Sequence, residues 1–265
     1  MTKEHDVRRI EVDGAHVPYR VTGTGRPLVL VHGTNAGALT WDGVAAEFAD
    51  VRTVVLPDLS GSDAARDDGG ELTVELLAGQ VAAVIADLGQ GPADVVGHSL
   101  GAPVVAALAA LRPDLVRGAV LVAGWAGPGD ERLRHALTVW RDLAGDGDTF
   151  ARYSMVMAFG REFLASIGRE AVAEMATSFR PDPGRLRQID LDLRVDVRDL
   201  LPRIQAPALV IGCARDALID VDHSRELAAA IPGASYAELD CGHIAMAERQ
   251  EEFVKLVRDF VLTSR

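Results

Sequence analysis

At 265 residues, with 48% hydrophobic and 25% charged side chains, the chain is long enough to bury one sizeable core and lies far from disordered composition. Its formal net charge of -12 repels phosphate backbones and anionic bilayers, which argues against nucleic acid and membranes as partners; nothing in it sets an oligomeric state. Cys213 and Cys241, the two cysteines, are too few for a disulfide framework, and with no apolar leader at the N-terminus the expected location is cytoplasmic.

Val7 to Gly23 reads as an antiparallel hairpin, two short strands around the turn pair Asp13-Gly14. From Pro27 onward short apolar runs alternate with helix-like segments. The order is strand Leu28 to Val31, helix Trp41 to Ala49, strand Thr53 to Leu56, helix Leu72 to Leu88, strand Asp94 to Val96, helix Gly101 to Leu111 and strand Ala119 to Val122. Continuous β-branched runs between helices indicate parallel strands buried on both faces. Between about Gly124 and Pro202 the pattern is helical with no strand-like run, including amphipathic stretches at Arg132 to Leu143 and Phe159 to Phe179. The alternation resumes with strand Ala208 to Ile211, helix Ser224 to Ile231, strand Ser235 to Leu239 and helix Glu248 to Leu262. The expected fold class is therefore α/β: a mostly parallel central sheet flanked by helices, formed by residues 1–123 and 203–265, with a helical cap inserted at 124–202.

Gly97-His98-Ser99-Leu100-Gly101 follows a strand and opens a helix, the context of a nucleophile elbow. There the serine occupies a strained turn, expected at φ > 0, and small residues two positions either side let strand and helix pack closely. An ordinary glycine-rich turn is the competing reading, so the other motifs must add weight. A serine hydroxyl needs a histidine base, and the base needs an acid that fixes its tautomer. Downstream, Gly212-Cys213-Ala214-Arg215-Asp216 ends one strand and Asp240-Cys241-Gly242-His243 follows the last, both at the strand ends where α/β sheets build sites. The developing oxyanion requires rigid N–H donors; Val31-His32-Gly33-Thr34-Asn35 offers the N–H of Thr34, to pair with that of Leu100.

With Val31-His32-Gly33, Trp41-Asp42, Pro57-Asp58-Leu59, the elbow at Ser99, Asp216 and Gly242-His243, the chain resembles the α/β-hydrolase family from about Ile10 to Leu262. The resemblance implies Ser99 as nucleophile, His243 as base, Asp216 as orienting acid, and Thr34 with Leu100 as oxyanion donors, with no cofactor and no metal. Where many relatives continue Pro-Asp-Leu into Arg-Gly-His-Gly, this chain has Ser60-Gly61-Ser62-Asp63, so any role of that arginine and histidine is absent. A serine at position 99 also argues against the haloalkane dehalogenase and epoxide hydrolase branches, which use a carboxylate nucleophile.

His32, Gly33, His98 and Trp125 are candidate substrate contacts, although a purely structural role is the simpler reading of His32 and His98. Asp220, Asp222 and His223 have a superficial look of metal ligands, but their place at a helix entrance suits N-capping by Asp222 better. Asp190 and Asp192 are rival acids to Asp216, set aside because they end the helical segment and not a strand. The expected function is hydrolysis of an ester, thioester or lactone of a small, apolar molecule. The alternatives are acyl transfer, perhydrolysis or lyase chemistry on the same triad, and a ligand-binding receptor with a vestigial triad.

Overall fold

The computed structural model of the chain describes residues 6–34 and 37–263, so Asn35 and the first five residues, on which part of the leader reading rests, lie outside the described residues. Strands β1 (Asp6–Val12) and β2 (Ala15–Gly23) form the hairpin, with Val12 paired to Ala15 across a two-residue turn. Asp13 at φ 49° and Gly14 at φ 78° both take the left-handed conformation that such a tight turn requires.

The further strands are β3 (Arg26–Val31), β4 (Arg52–Pro57), β5 (Ala93–His98), β6 (Val116–Val122), β7 (Ala208–Cys213) and β8 (Ser235–Leu239). Together they make an 8-stranded sheet in the order β1-β2-β4-β3-β5-β6-β7-β8. β2 is antiparallel to both its neighbours, and the remaining neighbouring pairs are parallel. The continuous apolar runs are explained by burial on two faces with a period of two. Val29, Val31, Val95, Leu121 and Val210 point into one core layer, and Leu28, Leu30, Val96, Val120 and Ile211 into the other.

Helices α1 (Val74–Leu88) and α2 (Gly101–Leu111) pack in the first layer. Thr73 caps α1 by accepting the Leu76 N–H, and Gly89 closes it in the left-handed conformation. Between β6 and β7 come α3 (Glu131–Asp142), α4 (Gly147–Ala158), α5 (Arg161–Ala176) and α6 (Pro183–Asp192). The chain ends with α7 (Val221–Ala230) between β7 and β8, then α8 (Ala245–Glu248) and α9 (Gln250–Thr263).

Three expectations need correction. Trp41 to Ala49 is not an α-helix but two 3-10 turns, Gly37–Trp41 and Ala45–Glu47; the Gly43 carbonyl that a continuous helix would use internally accepts from Gln250 Nε2 at 2.8 Å. Trp41, Val44 and Phe48 still face the second core layer, which produced the helix-like spacing. The stretch Phe159 to Phe179 begins later, because Phe159 is the extended residue ending α4, and α5 is broken at Gly168, φ 79°. Finally, α7 is capped by Asp220, whose carboxylate accepts the Asp222 N–H at 3.1 Å, and not by Asp222.

Candidate active site

Ser99 directly follows β5, at φ 54°, with its N–H donating to Val122 O at 2.9 Å. The flanking glycines are required by contact: a Cβ at Gly97 would lie 2.1 Å from Gly101 O, and one at Gly101 would lie 2.4 Å from Val31 O. No side chain fits between strand and helix there, so α2 begins close enough to hold the serine in its left-handed turn. A Cβ at Gly33 would come 2.7 Å from the Ser99 Cβ, which is how the loop after β3 reaches the serine.

Asp216 lies beyond β7 with a side chain fully withdrawn from solvent, and His243 lies between β8 and α8. Asp216 Oδ1 accepts the N–H groups of Leu218 and Ile219 at 2.8 and 2.9 Å, while Oδ2 accepts from His243 Nδ1 at 2.6 Å. With Nδ1–H donated to the carboxylate, the lone pair of the imidazole sits on Nε2. Asp190 and Asp192 play no part in this pair: Asp190 accepts from Arg141 Nε at 2.7 Å, and Asp192 lies against Thr34. Ser99 and His243 line one cavity, although no hydrogen bond joins their side chains; bonds of this kind tighten when a substrate is in place.

That cavity, of about 220 Å³, is also lined by Gly33, Thr34, Thr40 and His98 from the core and by residues of α3, α4 and α5. The wall contributed by these helices is apolar in effect. Trp140 Nε1 donates to Ser154 Oγ, and Ser154 Oγ donates to Phe150 O, both at 2.8 Å, so their polar atoms are already satisfied. The backbone N–H groups of Thr34 and Leu100 donate to no described residue, which leaves them available to a negatively charged oxygen.

The histidines of the motifs divide. His98 lines the cavity, and its Nε2 donates to the His243 carbonyl at 2.9 Å; burial, reinforced by charge at His243, pushes its pKa down to about 3 and keeps it neutral. His32 lies outside the cavity lining: its Nε2 accepts the Leu59 N–H at 3.0 Å, its Nδ1 donates to Gly33 O at 2.7 Å, and burial lowers its pKa. It shapes the loop that carries Gly33 and Thr34. Trp125 is also absent from the lining and sits in the core at 1% exposure, so the structure does not bring it to the substrate space. Among the described residues no cluster of three or more His, Cys, Asp or Glu is arranged to hold a metal.

Two site-building residues carry no sequence motif. Glu248 accepts the Gly242 N–H at 3.0 Å and the Gly160 N–H at 2.9 Å, clamping the histidine loop to the junction of α4 and α5. Asp192 joins α6 to Thr34, with its Oδ2 2.8 Å from Thr34 Oγ1.

A sequence profile described as the alpha/beta hydrolase fold matches residues 26–250. The chain is 37% identical to the pyrrolizixenacetamide deacetylase of Xenorhabdus hominickii, over 97% of this chain and 98% of that one. It is 29% identical to a protein of Azorhizobium caulinodans named as a carbamate hydrolase, over 93% and 95% of the two chains. Among solved structures, the enol-lactonase of Burkholderia xenovorans superposes with a TM-score of 0.86 at 25% identity, covering 96% of this chain and all of the other.

Proposed function

The chain belongs to the α/β-hydrolase fold family and is a hydrolase, and from that premise we infer that it cleaves a small, apolar carboxylic ester, thioester or lactone through an acyl-enzyme on Ser99. The observation that carries the reading is a serine held at φ 54° in one cavity with a histidine whose Nδ1 is fixed by a buried carboxylate 2.6 Å away. In this mechanism Ser99 Oγ attacks the carbonyl carbon as its proton passes to His243 Nε2. The N–H groups of Thr34 and Leu100 hold the oxyanion. Collapse breaks the bond to the leaving group, which takes the proton from His243, and water releases the acyl group by the reverse sequence of proton transfers. Asp216 keeps the ring oriented and stabilises its charged form.

Residues 124–202 act in this reading as a cap over the core segments 1–123 and 203–265, supported by the helical residues Trp140, Met157 and Met175 in the cavity wall. A cavity of about 220 Å³ with that wall favours a small acyl group. A small-molecule substrate and a cytoplasmic location, consistent with two free, buried cysteines, complete the proposal. The deacetylase relative favours a second reading in which the bond broken is a small acyl amide, with His243 supplying the proton to the departing amine.

Wild-type protein is expected to hydrolyse 4-nitrophenyl acetate and to be labelled by a fluorophosphonate, and Ser99→Ala to lose both; labelling that survives the substitution would contradict the assignment. Relative rates on 4-nitrophenyl acetate and 4-nitroacetanilide separate the ester reading from the amide one.

A further inference from the structure

Asp192, the last residue of α6, is 4% exposed, and its Oδ1 has no hydrogen-bond partner among the described residues. Its Oδ2 meets one side chain, the hydroxyl of Thr34, at 2.8 Å. Among the described residues no cation compensates it. Arg141 of α3 pairs with Asp190, Arg187 of α6 pairs with Asp67, and Arg194 pairs with Glu71. Arg185, at the far end of α6, lies 3.5 Å from Asp182. On the core side His32 is kept from charging by burial, His98 is neutral, and His243 pairs with Asp216.

An ionised carboxylate so placed would be a buried, unpaired charge, which costs several kcal/mol, so the group persists as the neutral acid. The acid proton then needs an acceptor. On Oδ1 it would be an unsatisfied buried donor, whereas on Oδ2 it meets Thr34 Oγ1. A hydroxyl that accepts this bond has its own hydrogen free, and Thr34 lines the cavity beside Ser99.

We propose that Asp192 is a positioning residue whose carboxylic acid donates to Thr34 Oγ1 and so turns the Thr34 hydroxyl hydrogen into the cavity. There it is a side-chain donor to the substrate's carbonyl oxygen, beside the backbone N–H groups of Thr34 and Leu100. This rests on the reading of Ser99 as nucleophile. Burial supports it by pushing the Asp192 carboxyl up to about 8, against a weaker opposing effect of the Thr34 hydroxyl. Above that pH the carboxylate forms, the Thr34 hydroxyl must donate back to it, and the substrate loses a donor. Activity therefore falls as pH rises through about 8.

The test compares wild type, Thr34→Val, Thr34→Ser and Asp192→Asn on 4-nitrophenyl acetate across alkaline pH, with the infrared band of protonated carboxyl groups recorded on the same proteins. Thr34→Val is expected to lower kcat roughly 10- to 100-fold with little change in KM, as for loss of a hydrogen bond to a charged oxygen, and Thr34→Ser to recover most of it. Asp192→Asn can make the same donation but cannot ionise, so its kcat should lose the fall near pH 8 seen in wild type. The infrared band should be present in wild type at neutral pH, titrate away with that fall, and be missing in Asp192→Asn. An alkaline fall that persists in Asp192→Asn, an unaltered infrared band, or a Thr34→Val enzyme with normal kcat overturns the proposal. Failure of the Ser99 reading looks different: fluorophosphonate labelling is then absent or survives Ser99→Ala, while the infrared titration still reports on Asp192 without any turnover.

Discussion

Ser99 sits in a backbone region that costs a non-glycine residue of order 1–3 kcal/mol, and the residues around it are chosen to hold it there. Gly97→Ala would drive a Cβ to within 2.1 Å of the Gly101 carbonyl, a backbone atom with no freedom to yield. The expected result is a stability loss of about 1–3 kcal/mol by denaturant unfolding, together with slower fluorophosphonate labelling as the elbow deforms. Asp192 supplies a second residue-scale expectation, with its own sign. Its carboxyl titrates at about 8 when folded but near 3.8 when exposed, so the unfolded chain releases a proton that the folded chain keeps. Stability contributed by this group is full below that lower value, falls as pH rises between the two, and stays low above the upper one. Asp192→Asn should therefore gain melting temperature relative to wild type, and more so at about pH 9 than at about pH 5; a pH-independent difference would show that the carboxyl is not buried and neutral. The motifs at 99, 216 and 243 were legible because each is a short, local pattern at a strand end. Asp192 was not, since its burial depends on a contact spanning 158 positions, and Trp125 misled because an aromatic residue after a strand reads the same whether it faces a cavity or the core.

At the scale of elements, local signals located the strands better than the helices between β6 and β7. The parallel strands declare themselves through apolar runs, whereas α6 carries a largely polar sequence and both it and α4 are marked chiefly by their starts. Asp146 caps α4, and Asp182 followed by Pro183 caps α6, the pattern that fixes the first helical turn. Trp41 to Ala49 failed in the other direction: buried residues three and four apart imitate a helix, but the side chain of Gln250 in α9 takes a carbonyl such a helix would need. Caps also differ in what they join. Asp130 accepts the Leu133 N–H at 3.0 Å to start α3, and its other oxygen lies 3.0 Å from His223 Nε2 on α7, tying α3 to α7. Among the described residues the Asp146 carboxylate bonds only the start of its own helix, at Asp148 and Thr149. Asp130→Ala is thus expected to cost about 1–2 kcal/mol and more than Asp146→Ala, measured by thermal unfolding; equal losses would mean that the link to α7 adds nothing.

The whole molecule follows from one sheet with two buried faces, whose carboxyl edge collects loops from positions far apart in the chain. The antiparallel hairpin, the parallel order and the helical insertion after β6 were readable because each rests on periodicity and turn chemistry. The docking of the insertion was not, because it is made by scattered polar contacts such as Gln188 Nε2 to Ser60 O at 3.2 Å and the close passage of Gly184 by Gly61. The central claim is that Ser99, at the middle of that edge, carries the acyl group during turnover. Rapid mixing of the protein with 4-nitrophenyl acetate, followed by acid quench, intact mass analysis and peptide mapping, tests it most directly. One acetyl group per molecule on the peptide containing Ser99, formed in a burst and lost at the turnover rate, is the predicted result; acetyl on another residue, or turnover with no adduct at any time, would contradict it.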